Sequence, residues 1–105
     1  MGDHIKAKEL KEQCYEIRKR VLGEEHSSTL SSLHNLAISY GALGDFQKAK
    51  ELMEQCYETR KRVLGVSHRD TLISMDSLVI LYRLIGEEKI ALEMEEQAKK
   101  LRKRI

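Results

Sequence analysis

The chain has no proline and no tryptophan, and phenylalanine occurs once. Lacking proline, it has no residue that would kink a helix interior or hold a polyproline segment. Aromatic residues make up only 5%, too few to interleave as stacking platforms for nucleic-acid bases. Charge of one sign is missing too: 19 Lys and Arg stand against 17 Asp and Glu, and the formal net charge is +2. Whole-molecule electrostatics therefore give no strong pull toward nucleic acid or an anionic membrane. No apolar run approaches the ~18 residues of a membrane span, and no secretory leader opens the sequence. Met1-Gly2 is followed by Lys6 where a myristoylation signal requires Ser or Thr. The only two cysteines, Cys14 and Cys56, are 42 positions apart. In stacked helices that separation places them about 10 Å apart, too far for a disulfide, so they are expected to be buried free thiols. Together these absences predict a soluble, cytoplasmic protein of one domain.

What is present is repetition. Arg-Lys-Arg stands at 18–20, 60–62 and 102–104, a period of 42 residues. Between 7–30 and 49–72, 18 of 24 aligned residues are identical, including Glu12-Gln13-Cys14-Tyr15-Glu16 and Glu54-Gln55-Cys56-Tyr57-Glu58. Periods of 20–50 residues mark stacked repeats, in which one helical unit buries its apolar face only against its neighbours. Such arrays present surfaces and seldom perform chemistry.

Glycines at 23, 44, 65 and 86 divide the chain every 21 residues, leaving room for five helices. The first, over 3–22, carries Ala7, Leu10, Cys14, Ile17 and Val21 at 3-4-3-4 spacing, one stripe down a helix. Arg18, Lys19 and Arg20 lie in its last turns, where cations meet the carbonyl end of the dipole. The second helix, 28–43, turns Leu30, Leu33, Leu36, Ala37 and Tyr40 inward. The third, 46–64, is capped by Asp45 and buries Ala49, Leu52, Met53, Cys56 and Val63. The fourth, 70–85, is capped by Asp70 and buries Leu72, Met75, Leu78, Val79 and Tyr82. The fifth, 87–104, has a narrow stripe of Ala91, Met94, Ala98, Leu101 and Ile105 and is otherwise charged, as a terminal repeat must be to stay soluble. The whole reads as an all-α solenoid of two and a half repeats: a half repeat over 3–23, then repeats over 28–65 and 70–105.

Leu33-His34-Asn35-Leu36-Ala37-Ile38-Ser39-Tyr40 with Gly44-Asp45-Phe46 and Ala49 resembles the tetratricopeptide repeat, as do Met75, Leu78-Val79, Tyr82, Gly86 and Ala91. Arg60-Lys61-Arg62-Val63-Leu64-Gly65, with His68 and Thr71-Leu72, sharpens the match toward the 42-residue repeats of kinesin light chains and of arrays attached to STAND-type ATPases. The resemblance spans nearly the whole chain. It departs in the loops, where Ser27 and Arg69 follow the histidines instead of proline. It implies a right-handed superhelix of antiparallel helix pairs whose first helices line a peptide-binding groove. Groove positions carried over are His34, Asn35, Ile38 and Gly41–Ala42, then Asp76, Ser77, Ile80 and Arg83. Asn35 occupies the place of an asparagine that binds peptide backbone in the family, and Ser77 replaces it in the next repeat.

Competing readings are weaker. Stacked Arg-Lys-Arg triplets would form a basic ridge, but pairing with Glu9, Glu12, Glu16, Glu51, Glu54 and Glu58 accounts for them without a phosphate ligand. His26 and His68 sit in matching loops without metal-ligand spacing, so loop packing or capping is expected. Cys56 and His34 lack an orienting acid, so catalysis is not expected. The sequence therefore predicts a non-enzymatic protein-interaction scaffold with no cofactor or metal, whose partner is a protein or peptide. The alternative is a self-assembly unit, a homodimer or helix-swapped homo-oligomer formed through the exposed apolar stripe of the first helix.

Overall fold

The computed structural model describes residues 2–103; Arg104 and Ile105, assigned above to the last basic triplet and the fifth apolar stripe, lie outside them. Five helices follow one another: α1 Gly2–Leu22, α2 Ser27–Ala42, α3 Phe46–Leu64, α4 Arg69–Leu84 and α5 Glu88–Lys103. Each packs chiefly against its sequence neighbour, which is the layering of a solenoid.

The core runs through the interfaces as one cluster. Leu33, Ala37, Ala49, Met53, Cys56, Met75, Leu78 and Ala91 are almost wholly buried in it. Nine buried residues escaped the spacing argument, among them Tyr15, Tyr57, Leu81 and Arg60. Helix ends follow local chemistry. Asp45 accepts the Lys48 amide at 3.1 Å, capping α3 as expected, and Gly65 ends α3 at φ 97°.

Asp70 does not cap α4. His68 does, its Nδ1 accepting the Asp70 amide at 3.0 Å, and His26 caps α2 through the Ser28 amide at 3.1 Å. Both helices consequently start one residue before the expected positions. An imidazole nitrogen two bonds from Cβ reaches the free amide as an aspartate oxygen would, so the loop histidines replace the missing prolines as helix starters.

The apolar stripe of α1 stays open, with Leu10, Ile17 and Val21 65%, 51% and 69% exposed, and in α3 Val63 is exposed where burial was expected. Helix α1 rests on α2 through Tyr15, with Ala7 and Cys14 only partly covered, because among the described residues no helix lies against its other side. Cys14 is thus half-buried where full burial was expected, while Cys56 is enclosed; both thiols are free.

Candidate functional site

The first arginine of each basic triplet is bonded to a neighbouring helix rather than left free in a ridge. Arg60 is buried and donates to Ser74 Oγ at 2.9 Å and to the Asp70 carbonyl at 3.3 Å, tying α3 to α4. Arg18 repeats this contact with Ser32 and the Ser28 carbonyl at 2.7 and 3.3 Å. Lys19 and Lys61 lie over the rings of Tyr15 and Tyr57, four residues back on their own helices. Arg62 pairs with Glu25. Among the described residues, none of the six glutamates expected to pair with the triplets does so. Glu12 and Glu54 instead accept the phenols of Tyr40 and Tyr82, and with burial these contacts push both phenol pKa values up.

An apolar cleft of about 180 Å³ lies between α2 and α4. Ala37, Ile38 and Gly41 form one wall, Ser77, Ile80, Leu81 and Leu84 the other, and Phe46 closes one end. A Cβ on Gly41 would stand 3.8 Å from Ala49 Cβ and 4.0 Å from Leu81 Cδ2, ordinary contact distances, so the missing side chain leaves room without relieving a clash. Ile38, Ile80 and Leu84 remain 49%, 60% and 53% exposed around the opening. Large aliphatic side chains left this open on one face mark an interaction surface better than scattered singles do.

Of the seven groove candidates, Ile38, Ser77 and Ile80 meet in this cleft. Asn35 is exposed on α2, one turn before Ile38. The other three do not line it. His34 is half-buried, with Nδ1 enclosed and lacking a hydrogen-bond partner. Desolvation lowers its pKa, the Arg60 charge lowers it further, and Asp70 acts the other way. Asp76 takes both nitrogens of Arg102, at 2.9 and 2.6 Å. Arg83 grips Glu95 at 3.2 and 3.0 Å and Glu88 at 3.2 Å, which raises its own pKa and lowers that of Glu95. Phe46, Leu81 and Leu84 were not foreseen as lining. Leu84 was legible, since it stands four residues after Ile80 on the same helical face.

A larger recess of about 530 Å³ lies at Ser67, Arg69, Leu72, Ile73 and Arg102, but Arg102 there is already held by Asp76. The Cys56 thiol is pushed up by burial, against weaker pulls from Arg60 and Ser74, and so stays protonated and a poor nucleophile. Among the described residues no group of three His, Cys, Asp or Glu side chains could hold a metal ion, and no helix is long and apolar enough to cross a membrane.

No curated protein sequence matches this one. Solved structures do. A Podosopora anserina kinesin-light-chain candidate with nearly identical TPR-like repeats is 36% identical with a TM-score of 0.89, over 95% of this chain and 47% of that one. A variant of that protein gives 35% and 0.87, over 98% and 49%. BtubC (BKLC) from P. vanneervenii is 25% identical with a TM-score of 0.90, over 99% and 41%. The chain thus spans less than half the length of the structures it matches. The tetratricopeptide-repeat sequence pattern matches residues 1–62 and 44–104. With that coverage, and with five helices stacked in 42-residue register, the chain belongs to the tetratricopeptide repeat family.

Proposed function

We propose that this chain is a non-enzymatic, cytoplasmic interaction module that holds a peptide or an extended segment of a partner protein along α2 and α4. The observation carrying this reading is the cleft whose rim exposes Ile38, Ile80 and Leu84 beside Asn35. The carboxamide of Asn35 can both donate to and accept from a peptide backbone, while the aliphatic rim contributes desolvation. Because α2 and α4 are braced by buried contacts on α3, the surface is preorganised and loses little entropy on binding. Affinity capture with the intact chain, Asn35→Ala and Ile80→Glu tests the reading. Both substitutions are expected to lose partners that the intact chain retains, Ile80→Glu the more completely. Equal recovery by all three chains would remove the cleft from consideration.

A second reading is favoured by a separate observation, the exposed stripe of Leu10, Ile17 and Val21 on α1. Covering it with the same helix of another copy would give a homodimer. Light scattering across a hundredfold range of concentration should then show a rising mass that Ile17→Glu abolishes. A constant monomer mass would sink this reading and leave the first untouched.

A further inference from the structure

Two charged residues that flank Ile80 are neutralised from within the molecule. Asp76 and Arg83 stand one turn either side of Ile80 on α4, where they would give the binding surface a mixed charge. Instead Arg102 of α5 takes both Asp76 oxygens, and Glu95 of α5 takes two Arg83 nitrogens while Glu88 takes the third. The same positions one repeat earlier carry no ionised pair: Asp76 corresponds to His34, whose pKa is lowered, and Arg83 corresponds to Gly41. The cleft walls themselves, from Ala37 and Ile38 to Ile80 and Leu84, are uncharged.

We propose that this surface selects an uncharged, aliphatic peptide segment, and that α5 sets this preference by occupying Arg83 and Asp76. The proposal rests on the reading of the cleft as a peptide site. The occupant follows from charge matching. A carboxylate arriving at Arg83 must displace Glu95 and Glu88, and an ammonium arriving at Asp76 must displace Arg102, so neither gains a new ion pair. A neutral segment loses nothing there and places one branched aliphatic side chain in the cleft. Its volume of about 180 Å³ is comparable to the roughly 150 Å³ cavity that accepts a benzene ring. Binding of this kind is nearly independent of ionic strength, whereas recognition by charge weakens with salt.

The test is a titration of the methyl resonances of Ile38, Ile80 and Leu84 with three capped peptides sharing a Leu-Ala-Leu centre. One is flanked by serines, one by aspartates and one by lysines. The serine peptide is expected to shift these methyls with an affinity that changes less than about twofold between low and high salt, and neither charged peptide should bind more tightly. In Glu95→Gln, which frees Arg83, the aspartate peptide should gain several-fold in affinity and become salt-sensitive. In Arg83→Gln, which frees Glu95, the lysine peptide should gain instead. Arg83 is exposed and Glu95 partly so, and circular dichroism would check that helix content is kept. Tighter binding of a charged peptide by the unaltered chain would overturn the proposal while keeping the cleft as a peptide site, as would charge preferences unmoved by either substitution. Methyl shifts that track protein concentration without peptide would make a second copy the occupant and overturn it too. No shift with any peptide would remove the underlying reading as well.

Discussion

Arg60 and Ser74 are joined by a buried hydrogen bond, guanidinium to hydroxyl at 2.9 Å, across the interface between α3 and α4. Its counterpart 42 residues earlier, Arg18 to Ser32, has the same geometry but an exposed arginine, since among the described residues α1 packs chiefly on α2. One bond in two environments separates sequence from burial. Arg60→Ala should lower unfolding free energy by roughly 2–3 kcal/mol, since a charged donor is lost from a buried hydroxyl and a carbonyl. Arg18→Ala should cost less than about 1 kcal/mol. Urea denaturation of the two variants measures the difference, and equal losses would contradict it.

Thr71 is fully buried in α4, and its hydroxyl has no hydrogen-bond partner, as is also true of Thr29 at the matching position of α2. Replacing an unsatisfied hydroxyl by a methyl of the same shape removes a desolvation penalty. Thr71→Val is therefore expected to raise stability by about 1 kcal/mol. A thermal melt lower than that of the unaltered chain would count against the orphaned hydroxyl.

His68 caps α4 from a loop without proline. Loss of an N-cap acceptor costs about 1 kcal/mol, so His68→Ala should be destabilising by that amount while His68→Asp, which keeps an acceptor, should stay near the starting stability. Chemical denaturation of both distinguishes capping from ring packing, which Asp would not replace.

His34 gives the protein an acid sensitivity of known sign. Burial and Arg60 lower its pKa below the ordinary value of 6.5, so the unfolded chain takes up this proton before the folded one. The stability contributed by neutral His34 is complete above pH 6.5 and is lost as pH falls from there through the folded-state pKa. His34→Gln should flatten the stability–pH curve in that interval without altering its alkaline limb. Superimposable curves for the two chains would refute the assignment.

Much of the fold was legible because its signals are local. Apolar residues three and four apart, glycine every 21 residues and Asp45 before Phe46 act within one or two helical turns, and they located α3 to the residue. The cleft was half legible. Ile38, Ser77 and Ile80 share the helical face that the repeat register assigns to them. His34, Asp76 and Arg83 share a register too, yet their long or ring side chains settle according to whichever residue the next helix offers. Arg83 meets Glu95 because α5 differs from α3 there, Glu95 standing where α3 has Met53, while Asp76 can meet Arg102 because α4 has Asp76 where α2 has His34. Leu10, Ile17 and Val21 were legible as a stripe, but spacing says that a stripe can be covered and not what covers it.

By itself, the sequence determined that this protein is a row of helices in 42-residue register, because spacing and turn chemistry act between residues that are near in the chain. Which apolar face stays open, which arginine is buried and which charges are already answered were decided only when the helices came together. Burial and ion pairing depend on neighbours that lie 12 to 40 residues away, as Arg83 with Glu95 and Tyr15 with Gln55 show.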